Sequence, residues 1–305
     1  MSAPERPPSL DPVAAARWAA RPVVGAQSPW LHEEVASRMQ ERLDFITLKP
    51  QRWVHWEPLR GGLQAHRALQ QRYGQAPVWL ISVHPAQAEA AQKALQGAWW
   101  QPSRWTGPQT HVGLPEEGQA DMLWANMLLH TSAEPQALLG AWHKALAVDG
   151  FLMFSCLGPD TLRELREVYA RRGWTEPAHE FTDMHDWGDM LVQAGFAEPV
   201  MDMERITLTY EHPDRLLTEL RELGRNMHIG RFPGLRGRSW RAQLTEALRE
   251  LSRPEEGGRL SVSFEIVYGH ALKPQPRLKV GPQTEIGLDQ MRQMLGRRSV
   301  GINKL

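Results

Sequence analysis

The chain alternates short, continuously apolar runs with segments whose apolar residues recur every three or four positions. The apolar runs lie at 77–83, 120–130 and 150–158, preceded by a shorter one at 53–56. Runs of this length, bounded by turn residues, read as strands buried on both faces of a parallel sheet. Helical spacing separates them. Leu31, Val35, Met39, Leu43 and Ile46 share one stripe, with Ser28 placed to cap and Pro29 to open that helix. Further helices are predicted at 63–73, 85–96 and 134–147. Such an alternation predicts an α/β fold, a doubly wound and mostly parallel sheet with helices on both faces. Right-handed crossovers then bring the turns after the strands to one side, where ligands bind. Residues 56–62, 83–85, 126–131 and 157–161 are expected around that mouth.

The rhythm changes beyond residue 158. Helices at 159–173 and 183–196 lead to two alternating strands, 201–210 and 259–272, expected to pair antiparallel. A helical insertion of about 213–252 divides them, broken at "IGRFPGLRGRS". The expected organisation is a loose leader at 1–27 with a short helix near 13–20, a seven-stranded domain at 28–272, and a basic tail at 273–305 with a short helix near 287–295.

Composition narrows the function classes. The 35 basic and 35 acidic residues balance, so no global charge points to nucleic acid or a membrane surface. No apolar run approaches the about 18 residues of a membrane span. The opening "MSAPERPPSL" has no apolar signal core. A single cysteine, Cys156 in the apolar run "FLMFSCLG", excludes an internal disulfide and a multi-cysteine metal centre. The protein is expected in the cytoplasm.

Six stretches carry a resemblance: "SPWLHEEVASRMQERLDFI", "LPEEGQADMLWANMLLH", "VDGFLMFSCLGPDTLRELR", "FTDMHDWGDMLVQAGFAEPVMDMERITLTY", "LRELGRNMHIGRF" and "FEIVYGHALKP". Together they resemble the malonyl-acyl-carrier-protein O-methyltransferases of biotin synthesis, within the class I S-adenosylmethionine (SAM) methyltransferases. The resemblance implies a seven-stranded Rossmann-like sheet with a helical insertion before its last strand, SAM as cofactor, and a malonyl thioester on an acyl carrier protein as substrate.

In that family the first strand ends in an acid and a G-x-G-x-G turn, whose glycines admit the cofactor close to a helix N-terminus. Here, in "RWVHWEPLRGG", His55 takes the acidic position and Glu57, Leu59 and Gly61 the glycine positions. Ser82 stands where a carboxylate would hold the ribose hydroxyls, and Thr110 or His111 where an acid would face the adenine. Asp121 and Asn126 match the fourth-strand motif. The implied cofactor set is thus His55, Glu57, Leu59, Gly61, Ser82, Thr110 and Asn126, mostly altered, and Trp56 is a candidate to fill the space. By contrast "GPDTLREL" and "GRNMHIGRF" keep the family's substrate side. Arg225, Arg231, Arg236 and Arg238 form a sequence-local basic group suited to a carboxylate or an acidic carrier protein.

Three functions remain open. One is a member with lost or weak SAM binding that keeps its substrate or partner surface, working beside an active paralogue. Another is an active O-methyltransferase with an unusual loop. The third is a hydroxylase or assembly factor like the related mitochondrial branch. His84, His111 and His130 with Glu57 could approach one another as a metal site, but their spacing matches no ligand pattern, and no metal is expected. Asp183 reads as a helix cap.

Overall fold

A computed structural model describes residues 9–23, 27–96, 107–254 and 257–276. The chain forms two compact units, Met1–Pro274 and Gln275–Leu305, and of the second only residues 275 and 276 are described. The expected helix near 287–295 lies outside the described residues.

In the first unit α1 (Pro12–Ala19) and α2 (Trp30–Arg42) precede β1 (Trp53–Trp56). A single helical turn, α3 (Pro58–Gly61), leads into α4 (Leu63–Tyr73). The winding continues through β2 (Val78–Ile81), α5 (Pro85–Leu95), β3 (Thr110–Val112), β4 (Ala120–Ala125), α6 (Pro135–Ala145) and β5 (Leu146–Leu157). Then come α7 (Arg163–Arg171), α8 (Met184–Gln193) and β6 (Ala197–Tyr210). The insertion holds α9 (Pro213–Leu223) and α10 (Arg238–Leu248), before β7 (Ser252–Arg253) and β8 (Arg259–Leu272). Strand order is β3-β2-β1-β4-β5-β8-β6, with β7 beside β8. The first five strands are parallel, and β8 runs antiparallel to both β5 and β6. The sheet has eight strands where seven were expected, because β7 is two residues long and leaves no periodic trace.

Strand alternation divides the core into two layers. Trp53, Leu80, Trp124 and Phe151 pack with α2 and α4; Val54, Trp56, Leu123 and Phe154 pack with Trp142 of α6 and Trp187 of α8. The strands read as continuously apolar because both faces are covered. Asp183 caps α8 through a hydrogen bond from the His185 amide, 2.8 Å. Ser28 does not cap α2. Its hydroxyl instead accepts from the Leu63 amide at the start of α4, 3.0 Å away. No helix among the described residues is long and apolar enough to cross a membrane.

At the β5–β8 seam Phe154 lies directly opposite Gly269. A Cβ on Gly269 would come within 2.1 Å of the Phe154 ring, so the glycine is fixed by the aromatic laid over it. Gly269→Ala should destabilise the fold by about 1–3 kcal/mol through overpacking, measured by urea denaturation. An unchanged midpoint would show that the ring moves aside freely.

Candidate functional site

The turn after β1 is built around an unusual residue. Glu57 adopts a left-handed conformation at φ 54°, and its amide bonds the Ile81 carbonyl at 2.6 Å. Its carboxylate accepts from the Val83 amide at 2.6 Å, which joins the β1 and β2 turns. Burial raises the Glu57 pKa, opposed by that bond and by the Arg60 charge. Pro58 starts α3, and Leu59 points into the layer formed by α2 and α4, 3% exposed.

At the α4 N-terminus the first amides have acceptors from elsewhere in the chain. Ser28 takes Leu63, and the Glu33 carboxylate takes Gln64 and Ala65 at 3.0 and 3.2 Å. A carboxylate is favoured there by the helix dipole as well as by the hydrogen bonds. Gly62 permits this arrangement. Its φ is 126°, and a Cβ would meet the Glu33 carboxylate at 2.9 Å.

Asn126, just past β4, is the hub of the mouth. Its amide donates to the carbonyls of Gly61 and His32 at 2.5 and 2.8 Å. Its oxygen accepts from the Ser155 hydroxyl at 2.6 Å, and that hydroxyl accepts from the Met127 amide. His32 also donates from Nδ1 to the Arg60 carbonyl, 2.8 Å. Thus α2 clamps the β1 turn through His32 and Glu33.

The predicted residues scatter differently from their sequence spacing. Glu57, Leu59, Gly61 and Asn126 do meet at the mouth, and Ser82 lies at the end of β2. His55 turns inward, its Nδ1 3.0 Å from Nδ1 of His66 in α4, with the ring stacked near Trp53. Trp56 does not fill the mouth; it faces the opposite layer, edge-on to Trp142. Thr110 and Asp121 sit at the wrong ends of their strands. Thr110 opens β3 opposite Val78, and Asp121 near the start of β4 accepts from the Gln51 and Arg52 amides. The histidines also separate. His111 stacks on Trp79, while His130 accepts from the Leu157 amide. Among the described residues no three His, Cys, Asp or Glu are grouped to hold a metal. Cys156 is buried, and burial pushes its thiol far up.

The four arginines of the insertion do not form one patch. Arg231 pairs with Asp11 at 2.6 Å, and Arg236 stacks on Trp240, 3.6 Å from the ring centre. Arg238 lines a separate surface cleft with Arg241 and Asp214. Only Arg225 reaches the mouth.

There it meets the N-terminal segment. Residues 9–21, expected as a loose leader, are docked. Leu10 bridges to His228, and Leu10, Ala15, Trp18 and Met227 make a small core. Arg60 donates to the carbonyls of Trp18 and Arg21 at 3.1 and 2.6 Å, and Gln87 of α5 donates to those of Ala19 and Arg21. The end of α1 therefore lies across the β1 and β2 turns.

Among known proteins, the chain is 41% identical over 257 residues to the malonyl-acyl-carrier-protein O-methyltransferase of Gallionella capsiferriformans, covering 81% of this chain and 86% of that one. It is 38% identical over 266 residues to that of Laribacter hongkongensis, covering 84% and 88%. The chain belongs to the malonyl-acyl-carrier-protein O-methyltransferase family. No family-level sequence profile matches it. Among solved structures the YcgJ protein of Bacillus subtilis aligns with a TM-score of 0.51 at 12% identity, covering 79% of this chain and 99% of that one. The fold is that of the class I methyltransferases.

Several residues of this family member's mouth escape a sequence reading. Glu33 looks like an ordinary first-turn acid of α2, Arg60 like a solvated charge, and Trp18 lies in a Pro- and Ala-rich leader. Their partners are tens of residues away, so no local spacing signals them.

Five buried imidazoles mark the same region. Burial lowers His32 and His179 to about 4 and His66 to about 3, and holds His55 and His130 well below the ordinary 6.5. Because the folded values lie below the unfolded one, this stability is complete above pH 6.5 and is lost as pH falls towards 4. The melting temperature should hold between pH 8 and 7 and fall steeply below about pH 6.5. A flat profile from pH 7 to 5 would show that these rings charge without cost.

Proposed function

We propose that this family member binds the carrier-linked acyl substrate without transferring a methyl group, its cofactor end being closed by its own side chains. The observation that carries the reading is the occupied α4 N-terminus: Glu33 and Ser28 hold the Leu63, Gln64 and Ala65 amides, at the place where a cofactor carboxylate would lie. Three features support it. Leu59 stands at a family glycine position and is part of the core. Asn126 is spent on the Gly61 and His32 carbonyls. Ser82, not a carboxylate, follows β2. Each lost charge-assisted bond to the cofactor costs about 1.5–3 kcal/mol, so together they remove most of a micromolar affinity of about 8 kcal/mol. The residues present do not fit SAM.

On this reading the malonyl-carrier protein named for the relatives is the partner, and an active paralogue supplies the methylation. A second reading, an active O-methyltransferase, draws on the 41% identity to the Gallionella protein over 257 residues.

Calorimetric titration separates the two. SAM and S-adenosylhomocysteine should give no saturable heat up to millimolar ligand, whereas malonyl-loaded carrier protein should bind. Micromolar SAM binding would overturn the proposal. Restoring a glycine by Leu59→Gly should not restore binding and should lower stability by about 2–5 kcal/mol, as for other buried leucines cut back. A stable variant that gains SAM affinity would show that the pocket is only blocked by that side chain.

A further inference from the structure

Two clefts, the first of them against the docked N-terminal segment, share Arg221 and Arg225. The first, about 370 Å³, is lined by Trp18, Arg21, Arg60, Arg221 and Arg225, with Glu222 the only carboxylate on its wall among the described residues. The second, about 310 Å³, runs between α7 and α9 and is mainly apolar, with Leu162, Leu165, Tyr169, Leu217, Leu220 and Phe264 on its walls. One end of the combined site is basic and the other greasy.

The basic end is only partly offset from within, by the charge of Glu57 on Arg60. Among the described residues none of its four arginines has a carboxylate at ion-pair distance. The arginines are nevertheless held in place. Trp18 carries the Arg60 guanidinium 4.1 Å and the Arg225 guanidinium 5.5 Å from its ring centre. Arg225 also donates to the Arg221 and Gly224 carbonyls. Burial, then the neighbouring charges of Arg21, Arg221 and Arg60, depress the Arg225 pKa. Like charges gathered and partly desolvated in this way favour an anion.

We propose that the joined clefts bind a medium-chain acyl group ending in a carboxylate, with the chain between α7 and α9 and the carboxylate on Arg21, Arg221 and Arg225. This rests on the functional reading above only in taking the ligand to be an acyl group. A malonyl group has a single methylene to bury, so the apolar cleft exceeds what it requires. Each further methylene buried there strengthens binding about fourfold. Charge complementarity selects the carboxylate end, and the leucine-lined walls select the chain.

The test is calorimetry on the full chain with hexanoate, octanoate and decanoate below their micelle concentrations, with decanol and inorganic phosphate as controls. Affinity should rise about fourfold per methylene until the cleft is full, and decanol should bind at least about tenfold more weakly than decanoate. Arg225→Gln and Arg221→Gln should each weaken decanoate about tenfold or more and leave decanol unchanged. Arg221 is exposed, so its variant tests the charge even if Arg225→Gln loosens the end of α9. Decanoate that fails to bind folded protein, binds like decanol, or binds both folded variants as it binds wild type overturns the proposal. So does phosphate binding with no dependence on chain length. SAM binding in the same samples with an intact chain-length series overturns the functional reading alone. Failure of decanoate in a SAM-silent protein that still binds the carrier overturns this inference alone.

Discussion

A helix that begins inside a protein leaves its first amides seeking acceptors, and the chemistry of the mouth follows from what supplies them. In this fold α4 begins one helical turn beyond β1, facing the side where the sheet presents its turns. Here the acceptors are a carboxylate from α2 and a hydroxyl from the segment before it. With Glu33 in that place, α2 must lie close over the turn, residue 62 must be glycine, and His32 falls within reach of both Asn126 and the Arg60 carbonyl. The left-handed Glu57 completes the turn by tying it to β2. Each contact is ordinary, but together they make the turn part of the scaffold.

Most of the fold was legible because continuous apolar runs and helical stripes are local signals. Four of the five parallel strands, the antiparallel pairing of β6 with β8 and the split insertion followed from them. What failed had no local signal. β3 is three residues long, so the third turn could not be placed and Thr110 came out at the wrong end. The insertion arginines are neighbours in sequence, yet the irregular segment between α9 and α10 turns them towards Asp11, Trp240 and Asp214. At the mouth, topology predicted which turns meet, and Glu57, Val83, Asn126, His130 and Leu157 do meet there. It could not predict that side chains from before β1 would close over them.

The docked N-terminal segment links the two ends of this mouth. Trp18 touches Arg60 of the β1 turn and Arg225 of the insertion, and its neighbours pair with residues 227–229. An aromatic ring bearing two guanidiniums keeps both charges in a shared, partly dry setting. The turn after β1 and the end of α9 are therefore mechanically one piece, although more than 160 residues separate Arg60 from Arg225.

The central seam of the sheet has a consequence for synthesis. β5 finds its outer neighbour in β8, and Phe151 pairs with Leu272, more than a hundred residues later. While the chain emerges from the ribosome, the five parallel strands are made long before that partner exists. Through this interval β5 presents an open, largely apolar edge able to pair with another extended strand. Closure comes only when β8 arrives and zips between β5 and β6. The last of the described strands thus takes an interior place in the sheet.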